Sequence, residues 1–325
     1  MALALTLRLA NKKLNMLIRK IRQAGRTALT IALNFCMRAT VFRSIVYIAI
    51  RLTKRLPDNK FKARVYNWTA SLNWHDFVFP ATSIDVGKAT LQLIPHSNEF
   101  DFAAIMYKKI NYEAEVYAFL DSLKEYECVI DIGANIGIFS LYIAQRFPQA
   151  QIYSFEPGRD AFSRLLINIK ANARLESRIN PFFSAVGADS PTITFYTPEG
   201  HLTNSSLDVK FAEKFGPVKR VIAQVAPKIL FEGLLQHQNR ALVKIDAEGA
   251  EPAVLQQLRA LIVAAQADLL LEVLPDYAIA LQEHFDYFRA AGYFAYSLQA
   301  KGAVLMTELN ASTRWRDWWF SKTQI

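Results

Sequence analysis

One stretch, Val129-Ile130-Asp131-Ile132-Gly133-Ala134-Asn135-Ile136-Gly137, limits this chain more than any other. Three apolar residues and an acid read as a strand that runs out at its carboxyl end. Gly133 and Gly137 then permit a tight turn and a close backbone approach to a ligand. Residues 138–144 continue as the first turns of a helix. Strand, glycine turn and helix make the first half of a nucleotide-binding crevice.

The spacing narrows the ligand. A dinucleotide fingerprint needs Gly-x-Gly-x-x-Gly to seat a pyrophosphate. Here Asn135 stands two after Gly133, and no third glycine completes the pattern. Asp131 precedes the first glycine, where it would repel a pyrophosphate but suit an ammonium group or sugar hydroxyls. That favours a cationic nucleoside bearing an amino acid, such as S-adenosylmethionine, over NAD.

After this stretch strands and helices alternate. Strands are expected at 152–155, 179–186, 242–246 and 268–273, with helices over 251–264 and 277–290. Residues 192–196 and 218–225 read as inserted strands, 293–298 and 303–307 as closing strands. The pattern predicts an α/β fold with a mostly parallel sheet covered on both faces. Upstream, 111–123 reads as a helix and 77–94 as a hairpin turning at Gly87-Lys88. Residues 61–75 are apolar enough to pack against something. The domains expected are a basic helical extension (1–56), a helical and hairpin subdomain (57–110) and the nucleotide-binding domain (111–325).

Charge is unevenly spread. The net charge is +9, but residues 1–64 hold 15 Lys and Arg against the single acid Asp58, and the remainder is at −5. Apolar and basic residues alternate at helical spacing over 1–56, as in a helix lying on an anionic membrane surface. Residues 28–50 are long enough to span a bilayer, but Arg38 and Arg43 interrupt them at about 5–7 kcal/mol, so an interfacial helix is favoured. A transit peptide ranks lower, as does a hairpin packed on the domain. No nucleic-acid partner is expected, because the basic character lies outside the catalytic domain. The location expected is cytoplasmic, peripheral at the membrane. Cys36 and Cys128 give no metal or disulfide spacing and read as buried, reduced thiols.

Three acids mark the sheet's carboxyl edge. Glu156, at the end of the second core strand, suits a ribose diol. Asp246 ends the fourth, with Lys244 on the same side of the strand and Glu248 in the following loop. Asp246 and Glu248 are the candidate catalytic acids. Lys244 is a catalytic candidate or the ion-pair partner of Asp246, and Glu251 suits the start of a helix. Glu272 ends the fifth strand; with Asp246 and Glu248 it would make an oxygen-ligand site for Mg²⁺, a reading less favoured than metal-free carboxylates. The histidines show no ligand spacing.

In order, Val129–Gly137, Phe155-Glu156-Pro157, Ala185-Val186-Gly187, Asn204-Ser205-Ser206-Leu207 and Lys244-Ile245-Asp246-Ala247-Glu248-Gly249-Ala250-Glu251 resemble the FkbM family of S-adenosylmethionine-dependent methyltransferases. The resemblance covers roughly 105–275, and Tyr112-Glu113 is similar to a Tyr-Glu pair the family has before its first strand. It implies a class I methyltransferase fold with an antiparallel closing strand, and O-methylation, often of sugar hydroxyls in glycans. Asp131, Gly133, Ala134, Asn135, Gly137, Glu156 and Pro157 match the cofactor loops, with Val186 near the adenine. The family's Thr-x-Leu-Asp before the fourth strand is absent from Val225–Glu232. The rival readings are a nicotinamide-dependent oxidoreductase and a catalytically silent, membrane-docked adaptor.

Overall fold

The computed structural model describes residues 36–37, 40–72, 74, 77–96, 100–109, 113–187, 189–199, 205–236, 238 and 240–325. Most of the 1–56 extension, Tyr112, Asn204 and three of the histidines (His75, His201 and His237) lie outside these. The chain forms two compact units. One holds the described residues within Met1–Phe79, His96–Asn98 and Ile105–Tyr107; the other holds Pro80–Pro95, Glu99–Ala104 and Lys108–Ile325.

The first unit contains helices α1 (Thr40–Leu52) and α2 (Lys60–Ala70). Asn59 caps α2 by accepting a hydrogen bond from the Lys62 amide at 3.0 Å, which satisfies one of the orphan donors of the first turn. Lys62 is buried and gives its ammonium to the Asp58 carboxylate at 2.8 Å and the Leu56 carbonyl at 3.1 Å. Tyr47, Trp74, Phe77 and Phe79 pack as an aromatic cluster with ring centroids 4.9–5.9 Å apart. Not every apolar residue here is packed: Phe61 and Trp68 are exposed, contrary to the expectation for 61–75. Cys36 is exposed too, and only Cys128 is the buried thiol expected of both. No helix among the described residues is long and apolar enough to cross a membrane.

The second unit begins with a hairpin, β1 (Thr82–Val86) and β2 (Ala89–Leu93), turning at Gly87-Lys88. The sequence pattern groups this hairpin with 57–110; in the structure it lies in the same unit as the large sheet. Asn172 accepts from the Gln92 amide at 2.9 Å and donates to the Gln92 carbonyl at 2.7 Å. Asn168 accepts from the Ile94 amide and donates to the Ile136 carbonyl, both at 2.9 Å. The hairpin edge is thereby tied to the glycine turn.

Helix α3 (Ala114–Leu120) starts after Glu113, which holds a left-handed φ of 47°, and ends three residues short of the expected 123; residues 111–112 lie outside the described residues. The sheet follows in chain order: β3 (Cys128–Ile132), α4 (Ile138–Arg146), β4 (Gln151–Phe155), α5 (Arg159–Ala171) and β5 (Ile179–Phe182). A two-stranded insertion comes next, β6 (Thr192–Pro198), α6 (Val209–Glu213) and β7 (Val218–Gln224). Helix α7 (Lys228–Leu235), β8 (Ala241–Ile245), α8 (Glu251–Ala264), β9 (Asp268–Glu272), α9 (Ala278–Ala290), β10 (Phe294–Gln299), β11 (Gly302–Met306) and β12 (Asp317–Ser321) complete it.

The strand order is β11-β10-β12-β9-β8-β3-β4-β5. Strands β5, β4, β3, β8 and β9 are parallel, and β12 runs antiparallel between β9 and β10. This is the class I methyltransferase arrangement. β3 and β8 are buried along their whole length, as parallel strands covered on both faces must be. Alternation along them feeds two cores: Val129 and Leu242 pack with Leu141 of α4, while Ile130, Ile132, Val243 and Ile245 pack with Val254, Leu255 and Leu258 of α8. Each such side chain, fully buried, contributes about 1.5–3 kcal/mol. The third core strand stops at Phe182 rather than at 186, because Ala185 pairs with the insertion through Gln224 and Ala226.

Candidate active site

β3 lies between β4, the next core strand in the chain, and β8, which follows β5 and the insertion, so the strand order reverses at β3 and a crevice opens at the carboxyl ends. The crevice holds about 890 Å³ of space, its open mouth included. Gly133, Ala134, Asn135, Glu156, Pro157 and Val186 line it, as do Lys244, Asp246 and Glu248. Phe100, Glu113, Phe195, Ser205 and Leu207 also line it, and sequence reasoning gave none of them a role in the site. The Tyr112-Glu113 pair was the one available signal for Glu113. Asp131 and Gly137 stand off the wall.

Asp131 lies beneath the floor, fully buried. It accepts from the Ser140 hydroxyl at 2.5 Å, and the ammonium it faces is that of Lys244, 3.8 Å away. Strand register explains this: Asp131 and Lys244 are direct neighbours on β3 and β8. Lys244 also donates to the Asp246 carboxylate at 2.8 Å. Burial works against its charge, but Asp246, Asp131 and Glu113 outweigh that and hold the ammonium protonated. Such a lysine has no lone pair with which to accept a proton. Lys244 is thus ion-paired with Asp246, one of the two readings its place on the strand allowed.

Gly137 opens α4 at a φ of 88°. Gly133, at a φ of 81°, presses against the strand-end loop of β8, and a Cβ there would come within 1.7 Å of the Asp246 carbonyl oxygen. The Gly133→Ala protein should lose at least about 1 kcal/mol from the left-handed backbone alone, which lowers Tm by at least about 2 °C in a domain of this size. Scanning calorimetry with an unchanged Tm would refute that close approach.

Glu156 is buried and folds back on its own loop. Its carboxylate accepts from the Asn135 amide at 2.8 Å and the Gly158 amide at 2.6 Å. Burial pushes its pKa up to about 7, against the pull of those two amides. Each carboxylate oxygen keeps a further lone pair for a ligand. Nearby, the buried side-chain oxygen of Asn135 has no hydrogen-bond partner among the described residues, which is the state of a wall built to meet a polar group.

The loop after β8 carries strain. Glu248 holds a left-handed φ of 50° and Gly249 one of 96°. Glu251 stabilises that turn: its buried carboxylate accepts from the Ala247 amide at 2.8 Å and the Gly249 amide at 3.0 Å. The helix-start acid of the sequence reading is thus also a loop clasp. From the insertion, the Ser206 hydroxyl donates to the Glu248 carbonyl. Asp208, which caps α6, accepts from the Tyr277 hydroxyl at 2.7 Å. Burial, with the charges of Asp246 and Glu251, raises the Glu248 pKa. Burial likewise raises that of Glu272, whose nearest cation is Arg316 at 3.7 Å. Among the described residues no group of three or more His, Cys, Asp or Glu is placed to hold a metal ion.

The family model for the methyltransferase FkbM domain matches residues 131–295. The chain belongs to this family of methyltransferases. It is 31% identical over 145 residues to Methyltransferase 1 of Beauveria bassiana (strain ARSEF 2860), covering 40% of this chain and 57% of that protein. It is 45% identical over 47 residues to Methyltransferase sdnD of Sordaria araneosa, covering 14% of this chain and 18% of that protein. The chain thus spans less than two thirds of either relative. Among solved structures it is similar to methyltransferase FkbM from Methylobacillus flagellatus KT, at 16% identity and a TM-score of 0.40, over 65% of this chain and 46% of that one.

Proposed function

We propose that the chain is an S-adenosylmethionine-dependent O-methyltransferase acting on a hydroxyl of a carbohydrate or glycan. The observation that carries this reading is one cavity with Glu156 at one strand end and Asp246, held by Lys244, at another. Glu156 would accept the ribose diol, the Asn135 side-chain oxygen would take up a donor, and Val186 with Phe195 would wall the adenine. When bound, S-adenosylmethionine supplies an electrophilic methyl group on a sulfonium sulfur. What is left to the chain is alignment of the acceptor oxygen and removal of one proton. Asp246 is the group for that proton, since Lys244 fixes its carboxylate without competing for it. Glu248 and Ser205 add polar contacts for a sugar. No metal is needed in this scheme, and no nucleic-acid partner is proposed.

Isothermal titration with S-adenosylhomocysteine and with NAD tests the cofactor. Binding of the first and not the second is expected. NAD binding would favour the oxidoreductase, and binding of neither the silent adaptor. Transfer of a labelled methyl group from S-adenosylmethionine into cell-envelope glycan fractions then tests the acceptor, with label confined to protein or lipid-free small molecules counting against a glycan.

A further inference from the structure

The first unit exposes an apolar stripe that nothing among the described residues covers. Val41, Ile45, Ile48 and Leu52 follow each other at helical spacing on α1, at 73%, 59%, 58% and 58% exposure. At about 100° per residue they fall within a band of about 60°. The opposite side of the same helix is the packed one, where Tyr47 and Ile50 are buried. A helix that is apolar on the side away from its own core is seated on something else. The second helix repeats the feature: Phe61 and Trp68, two turns apart on one face of α2, are 63% and 40% exposed.

Charge identifies the occupant. Arg51, Arg55, Lys60 and Arg64 are all exposed and lie beside these residues in sequence, and Asp58 is the only acid between 40 and 64. Arg51 sits about 100° around the helix from Leu52, at the flank of the stripe rather than on it. An apolar band edged by bases, with an amphipathic Trp nearby, suits the boundary between acyl chains and anionic headgroups. A protein partner of this shape would need a strip at once apolar and acid-rimmed. Helix α1 has 13 residues, about 20 Å of helix, too short for the roughly 30 Å core of a bilayer.

We propose that Val41, Ile45, Ile48 and Leu52 of α1 form a docking surface for an anionic lipid bilayer, with α1 lying in the interface plane and Arg51 and Arg55 at headgroup level. Each base near such a leaflet is worth roughly a 5-fold gain in partitioning, screened by salt. Burying two Ile side chains is worth at least about 10-fold more.

The test is flotation of the full chain with vesicles of phosphatidylcholine containing phosphatidylglycerol, and with pure phosphatidylcholine, at low and high salt. The parent should float with the anionic vesicles, and less so with neutral ones or in high salt. An Ile45→Glu/Ile48→Glu variant should lose at least about 10-fold in partitioning, with unchanged circular dichroism and S-adenosylhomocysteine affinity. If that variant misfolds, Arg51→Glu/Arg55→Glu leaves the apolar stripe intact and should lose at least about 25-fold on anionic vesicles alone. Equal flotation of parent and variants overturns the proposal, as does no flotation of the parent. A parent that stays off vesicles but changes oligomeric state, or melting temperature, on Ile45→Glu/Ile48→Glu would assign the stripe to a second copy or to residues 1–35, and would equally overturn it.

Discussion

Asp246→Asn should lower methyl-transfer turnover by about 10²–10⁴-fold and leave S-adenosylhomocysteine affinity within a few-fold. The substitution keeps the shape of the side chain and an oxygen for the Lys244 ammonium, which sits 2.8 Å from the Asp246 carboxylate. What it removes is the negative charge that, in the proposed reaction, would take the acceptor's proton. A sugar hydroxyl is a weak acid, so a carboxylate helps mainly late in the transfer, as the oxygen gains positive character. Single-turnover and steady-state rates at saturating cofactor measure the effect. A variant that loses cofactor but keeps its turnover would move Asp246 to the cofactor site. Loss of turnover with a chelator, in parent and variant alike, would instead make the acids metal ligands.

Glu156→Ala should weaken S-adenosylhomocysteine binding by roughly 10- to 150-fold, since a hydrogen bond to a charged group is worth about 1.5–3 kcal/mol. In the proposed complex the carboxylate would have two tasks, because it also holds the Asn135 and Gly158 amides. Glu156→Gln, which retains one acceptor, should fall between the parent and the alanine variant. With a pKa pushed up to about 7 by burial, the parent should bind more weakly as pH falls through that value, and Glu156→Ala should lose this dependence. The sign for stability is the reverse. A carboxyl whose folded pKa lies above its unfolded value near 4.3 contributes most below that value, and the contribution is lost as pH rises to about 7. Titrations and thermal melts between pH 5 and 8 check both, and flat affinity across that range would remove Glu156 from the ligand.

The parallel half of the sheet was legible chiefly at β3, β8 and β9, whose short, largely apolar runs end at Gly133, Asp246 and Glu272, as burial on both faces favours. Helix α8 follows its expected bounds of 251–264, and the strands of the insertion depart by a residue or two. Strand β12 was not legible. Asp-Trp-Trp-Phe-Ser has no alternation, and its place is set by pairing with β9 and β10, residues distant in sequence. Around the site, residue types at strand ends were readable, but depth was not. Asp131 and Glu156 look equivalent as acids beside turns; only strand register separates the first, sealed under Lys244, from the second, open to the cavity. Asn168 and Asn172 carried no signal at all, since a helix face with two asparagines one turn apart is ordinarily a solvated one.

The place of β12 has a consequence for the order of assembly. Synthesis delivers β9, β10 and β11 before the strand that must lie between the first two. Until Trp318 and Trp319 emerge, β9 and β10 each present an open edge of unpaired amides and carbonyls, and Leu270 and Leu271 face no neighbour on that side. The two edges are also parallel to one another, so joining them directly would shut out the antiparallel strand still to come. The parallel strands, of which β3 is made first, are all available for pairing before β12, which has to enter between two strands that precede it in the chain.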